Sequence, residues 1–258
     1  VAIGRLSSVE DNIYIFGNVG EDIFSADLLS NLQNNNISTE YVGTVPQSTG
    51  VAQITLYGGD NRIIYYPGAN NLVRTNDWKN EWELISDASI VVLQNEIPHE
   101  ANLSIAKFCQ ENQVKVLYNP APARETDKEM IPFCDFITPN EHECSELFPD
   151  KKLDEIIKIY PNKMIVTLGV EGSIYYDGTA VKKIPAIKAE VVDTTGAGDR
   201  FNGAFAYAIS KGKEMNVALS FATIASHLSV QRFGAQGGMP SLKEIKEHSG
   251  YEEIWDFK

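Results

Sequence analysis

Residues 191–210 read "VVDTTGAGDRFNGAFAYAIS", and the reading of this stretch decides the fold. An apolar strand end closes at Asp193, "TTGAG" turns, and a helix begins near Gly198. From there Phe201, Ala204, Phe205, Ala208 and Ile209 keep helical spacing and predict an apolar stripe laid against a sheet. One carboxylate, Asp199, is left at the helix mouth. The first helical turn has unpaired N–H groups and the positive end of the helix dipole. Gly196 and Gly198, lacking side chains, let a ligand come close to those N–H groups. The mouth therefore suits a group that carries or develops negative charge, such as a phosphoryl group in transfer. An acid there also stabilises the helix by itself, by roughly 0.3–1 kcal/mol. Asp199 taken alone supports both readings.

Outward from this joint, short apolar runs alternate with helical patterns. "NIYIFG" (12–17) reads as a strand and "DIFSADLLSNLQNN" (22–35) as a helix, with Ile23, Ala26, Leu29 and Leu32 on one stripe. "SIVVLQ" (89–94), "VKVLYN" (114–119), "FIT" (136–138) and "MIVTLG" (164–169) are continuous apolar runs, as expected of parallel strands buried on both faces. The alternation predicts an α/β fold, a doubly wound and mostly parallel sheet flanked by helices. Ligands in such sheets gather beyond the carboxyl ends of the strands. Two regions break the rhythm. Residues 41–66 hold strands and no helix, with a hairpin signal at "GGDN", and are expected to form part of a small β lid. Residues 1–40 and 67–258 form the main domain on this reading. "SIYYDGTAVKKI" (173–184) predicts a second hairpin turning at "DG".

The totals narrow the function. The 258 residues are 43% hydrophobic and 22% charged, a globular composition. A net charge of −13 argues against nucleic acid or an anionic membrane surface as partner. The three cysteines, Cys109, Cys134 and Cys144, are odd in number and lack CxxC spacing, so a reducing cytoplasm is expected and neither a zinc site nor a disulfide framework. No run reaches membrane-spanning length. His99, His142, His227 and His248 show no ligand spacing. There is no GxxxxGK[ST] loop, and "GAGDRFNG" fails GxGxxG because Phe201 stands where the third glycine belongs.

The string "DTTGAGDRFNGAF" (193–205) resembles the carboxyl-terminal signature of the ribokinase-like (PfkB) carbohydrate kinases, DTxGAGDxF followed by a small-residue helix. Other pieces follow in that family's order: "NVGEDIFSADLL", where Ser25 replaces a glycine, then "STGVA", "YYPGAN", "NPAPAR", "TPNEHECSELF", "TLGVEG" and "RFGAQGGMP". The resemblance spans essentially the whole chain.

It implies an ATP-dependent kinase that phosphorylates a primary hydroxyl of a sugar, ribose first among candidates. Fructose, a ketogluconate or a nucleoside are the alternative acceptors, and a catalytically silent nucleotide-binding regulatory protein is the alternative of another class. Asp199 matches the family's catalytic base, and the resemblance puts the N–H groups of Gly196, Ala197 and Gly198 around the developing charge. Asn140 and Glu143 match an NxxE motif that works near the phosphates and Mg2+, with Glu143 reaching the ion through water. Without the resemblance they read as a polar loop after a strand. Thr167, Gly169, Glu171 and Gly172 match positions that line ATP, although glycine punctuates ordinary turns as well. Thr223 stands near the adenine, where the family often carries Asn or His.

Glu96 matches a sugar-lining position and reads equally as a surface acid. Asp193, Thr195, Ser229, Arg232, Gly234 and Gly238 match a monovalent-cation site built largely of backbone carbonyl oxygens, implying K+. Arg200 fills the variable position of the signature and is expected to face either solvent or the ATP phosphates. On the same comparison Val1 stands just past the family's first strand, its sugar-holding Asp and its GGxGxN turn. The expectation is therefore a piece of a longer protein, with further lid strands upstream. The family often pairs its lids, so a homodimer is expected.

Overall fold

Strand alternation sorts the core into two layers. In β6 (Lys115–Asn119) Val116 and Tyr118 pack into one cluster while Leu117 packs into another. β8 (Ile165–Thr167) and β9 (Ser173–Tyr176) repeat the division, with Val166 and Ile174 on the first side and Ile165 and Tyr175 on the second. A sheet with two apolar faces must be covered twice. The computed structural model, which describes residues 1–57 and 60–255, shows that cover. On the first side lie α3 (Trp82–Ser86), α4 (His99–Glu111), α5 (Glu141–Leu147) and α6 (Leu153–Ile159). On the second lie α1 (Ala2–Leu6), α7 (Ala197–Ser210), α8 (Met215–Val230), α9 (Leu242–Lys246) and α10 (Tyr251–Trp255). The fold is the expected doubly wound α/β arrangement.

β5 (Ile90–Gln94), β6 and β7 (Phe136–Ile137) pair in parallel. Parallel bridges Ile137–Met164 and Asn140–Thr167 carry the order on to β8. β9 and β10 (Val181–Ile184) complete that edge as antiparallel neighbours. Their hairpin turns as expected at Asp177–Gly178, where the Asp177 carboxylate accepts from the N–H groups of Thr179 and Ala180.

Several expectations give way. The lid region of 41–66 divides: residues 41–45 belong to β2 (Ser38–Val45), which pairs in parallel with β1 (Tyr14–Gly20), and only β3 (Val51–Tyr57) and β4 (Asp60–Tyr66) form a separate antiparallel ribbon. Gly58 and Gly59 of the "GGDN" signal lie outside the described residues. The stripe on α2 (Ile23–Asn34) is not a core face: no residue of that helix is buried, and Ile23 is 82% exposed. The run at 191–193 is not a strand. Pro185 follows β10 directly and brings no N–H for a ladder. Val192 and Asp193 instead donate to the carbonyl of Val230 at the end of α8, leaving Val191 and Val192 exposed. Finally, α7 has more than one buried stripe. Every residue from Arg200 to Ile209 is buried, between α8, α1 and the sheet. Gly203 makes this possible, since a methyl group there would come within 2.5 Å of Ala2.

Candidate active site

Parallel pairing puts the carboxyl ends of β5 to β8 on one edge, and the start of α7 reaches the same edge. Polar side chains knit it together. Asn119 donates to the Thr138 carbonyl, and the Thr138 hydroxyl donates to Asn202 of α7 at 2.6 Å. Asn95, just past β5, takes the hydroxyl of Tyr118 and donates to the buried carboxylate of Asp127. None of these was read from the sequence. Asn202 could have been: a polar residue inside a wholly apolar helix stretch must find a partner when buried.

The glycine turn lies on this edge. Gly196 caps α7 with φ of 73°, left-handed backbone that favours glycine, and a methyl there would stand 3.1 Å from the Ala235 carbonyl oxygen. Asp193 holds the turn in place. Its Oδ1 accepts from the Thr195 N–H and its Oδ2 from the Gly234 N–H, each at 2.8 Å. These bonds hold the Asp193 carboxyl below its ordinary pKa.

The amides differ from the expected set by one residue. Ala197 donates its N–H to the Thr194 carbonyl at 3.0 Å, so that donor is spent inside the turn. The N–H groups of Gly196, Gly198 and Asp199 have no backbone partner among the described residues. At Gly198 a methyl group would meet nothing within 4 Å, so this face is open. Asp199 is reached by solvent yet crowded by protein. Lost hydration raises its pKa, opposed by the charge of Arg200. Glu96 is raised in turn by lost hydration and then by the charge of Asp199. The two acids thus lie near enough to feel one another's charge. Tyr65 of β4 reaches toward Glu96, its hydroxyl 3.2 Å from the Glu96 carbonyl oxygen.

On the far side, Asn140 and Glu143 form a reciprocal cap on α5: Asn140 Oδ1 accepts from the Glu143 N–H and Glu143 Oε2 from the Asn140 N–H, both at 2.8 Å. Oε1 of Glu143 is left over, and burial raises the carboxyl pKa. Mg2+ fits such a donor, because it is commonly held by one or two carboxylates with phosphates and water. The Asn140–Thr167 bridge sets this cap beside the "TLGVEG" turn.

Within that turn Gly169 is open, with φ of 53° and nothing near its missing Cβ. Gly172 is shut in, as a Cβ would lie 2.0 Å from the Ile184 carbonyl oxygen. Glu171 turns to Lys183, 2.7 Å away. The hydroxyl of Thr223 donates to the Leu219 carbonyl of its own helix and is not free to read a base, in keeping with its departure from the Asn or His common there.

The monovalent-cation set is also placed otherwise than expected. Asp193 is spent on amides, as described. Ser229 gives its hydroxyl to Ser226, and its carbonyl takes the Arg232 N–H. The Arg232 side chain turns away to Glu244 at 2.6 Å. The Gly234 carbonyl already faces a cation: Nη2 of Arg200 lies 2.7 Å away, and 3.0 Å from the Ala235 carbonyl oxygen. Arg200 therefore faces neither solvent nor a phosphate; it is 1% exposed. With a guanidinium already on the Gly234 carbonyl, that carbonyl does not fit a potassium ion.

The pfkB family carbohydrate kinase profile matches residues 1–242. A ribokinase of Lactococcus lactis is 59% identical over 246 residues, 95% of this chain and 81% of the relative. A ribokinase of Bacillus subtilis is 41% identical, covering 96% and 84%. Among solved structures, Arabidopsis thaliana ribokinase complexed with ribose and ATP superposes with a TM-score of 0.82 at 31% identity, over 96% of this chain and 85% of that one. With this match along nearly its full length, the chain belongs to the pfkB family of carbohydrate kinases.

Proposed function

We propose that the protein transfers the γ-phosphate of ATP to a primary hydroxyl of ribose. The observation that carries this reading is the helix start itself, where the amides of Gly196, Gly198 and Asp199 have no backbone partner among the described residues and the Asp199 carboxylate stands on the same turn. The 59% identity to a ribokinase supports the choice of sugar. Asp199 accepts the proton of the sugar hydroxyl as its oxygen bonds to the γ-phosphorus and the bond to ADP breaks. Its raised pKa keeps it a usable base, and its place holds the alcohol in line. The amides, fixed in advance by the Asp193 bonds, meet the charge that builds on the phosphoryl oxygens. Mg2+, held through Glu143, neutralises phosphate charge when bound. Glu96 lines the sugar side, Gly169 and Thr223 the nucleotide side. Three free, buried cysteines support a reducing cytoplasm as the setting. Among the described residues no helix is long and apolar enough to cross a membrane.

The test is a coupled ADP-release assay with ATP, Mg2+ and a panel of sugars. Ribose gives the highest kcat/KM on this account; a clear preference for fructose or a nucleoside contradicts the choice of acceptor, and ATP binding without turnover on any sugar contradicts the enzyme.

A further inference from the structure

Arg200 is the largest fully buried side chain among the described residues, and the reaction does not use it. It sits in the first turn of α7, one residue after Asp199, and is almost wholly shut from solvent. A buried guanidinium is tolerated only where acceptors and negative charge are gathered around it. Here Nη2 donates to the carbonyls of Gly234 and Ala235, and the carboxylates of Asp193 and Asp199 supply the opposing charge. The opposite loop is shaped to receive it. Gly238 has no side chain, and a Cβ there would come 3.0 Å from Nη2 and 2.7 Å from the Ser229 carbonyl oxygen. Gly234, at φ of 94°, turns its carbonyl toward the guanidinium while its own N–H is held by Asp193. Beside Arg200 is a hole of about 10 Å³, lined by Ala2, Leu6, Ala204, Ala225, Met239 and Pro240. That is about the room one water needs, and Nε and Nη1 lack protein partners among the described residues.

We infer that Arg200 is a built-in monovalent cation: its guanidinium, tethered to the helix that carries Asp199, orders the 232–238 loop where the resemblance calls for K+, so that turnover needs no potassium. The inference rests on the kinase reading above. Arg200 is a positioning residue. It touches neither sugar nor nucleotide and works by clamping the loop against the turn that presents the amides. A potassium ion on the Gly234 carbonyl would have to share it with a fixed positive charge, and like charges disfavour that sharing. Removing the guanidinium leaves two aimed carbonyls and two carboxylates without a cation, and a mobile ion then has a place to go.

The experiment compares K+ with choline as the chloride salts at one ionic strength of about 0.1 M. Two readouts are taken, the thermal midpoint of the protein without substrate and the rate of ribose-dependent ADP release. For the parent both are the same in the two salts, the rates agreeing within about twofold, since an ion that does not bind adds no stability. For Arg200→Thr the rate in choline drops at least tenfold, about 1.4 kcal/mol of barrier, and K+ restores most of it. In that variant K+ also raises the midpoint by about 3 °C or more. A parent that K+ activates severalfold overturns the inference. So does an Arg200→Thr protein that folds, loses activity and gains neither rate nor midpoint from K+. Should Arg200→Thr not fold, the parent's two readouts and those of Arg200→Gln decide in the same way. The midpoint needs no sugar, so a parent that phosphorylates nothing sinks the kinase reading and leaves the cation inference to stand or fall on the midpoint.

Discussion

At the scale of single residues the account turns on Asp199 and on the bare backbone beside it. On the proposed mechanism, protonation of Asp199 removes the base, so kcat/KM falls on the acid side of its profile. Crowding by protein raises the carboxyl pKa, so that fall is centred above the roughly 3.9 of a free Asp. The same shift has a stability consequence. A carboxyl with a raised folded pKa is stabilising below its unfolded pKa, and that contribution is lost as pH rises through the folded value. Asp199→Asn therefore melts no lower than the parent at pH 7 in scanning calorimetry, and the two curves approach one another near about pH 3. A mutant that melts well below the parent at pH 7 contradicts this. Gly198 gives a second prediction. Its added methyl meets no protein atom, so Gly198→Ala folds with an unchanged midpoint. It nonetheless loses about 10²–10³ in kcat, because the methyl stands where the phosphoryl group approaches a free amide. An active Gly198→Ala sinks that assignment.

At the scale of elements, what holds the site is a set of straps between loops distant in sequence. Asp193 binds the 234 loop, Asp22 takes the N–H and hydroxyl of Thr49, and Glu244 both caps α9 and receives Arg232. The carboxyl of Glu244 is held down to about 2 by the Ser241 amide and Arg232. Its contribution is present above the ordinary Glu pKa and is lost as pH falls through about 2. Glu244→Ala costs about 1 kcal/mol of stability at pH 7, mostly as a lost cap because the ion pair is exposed. Urea unfolding checks the size, and the difference closes as the pH approaches 2. These straps also mark how far sequence reading reaches. The glycine turn, the acid and the helix after it were legible because their chemistry is local: an apolar period, a left-handed glycine, an acid in a first turn. Ala197 was not, because whether its amide is free depends on where Thr194 points. Nor was Arg200, whose partners lie 34 and 35 residues away. The α2 stripe misled for the same reason: periodicity says which face is apolar and not what lies opposite.

At the scale of the whole molecule, one edge of a doubly wound sheet gathers the ends of β5 to β8 and the start of α7, and a two-stranded ribbon reaches toward it through Tyr65. That ribbon leaves Val51, Ile64 and Tyr66 exposed, at 44%, 67% and 54%. An isolated two-stranded ribbon is marginal in water, so a second copy is the expected cover. Light scattering accordingly gives a dimer, and Ile64→Lys shifts it toward monomer; a monomeric parent contradicts the pairing. On the proposed mechanism a carboxylate at a helix start readies an alcohol for a phosphoryl group held by backbone amides. Its most direct test is turnover by Asp199→Asn with ATP and ribose, beside ATP affinity measured on the same protein. The account predicts a rate lower by about 10²–10⁴ with ATP binding retained; a variant that phosphorylates ribose at the parent's rate contradicts it.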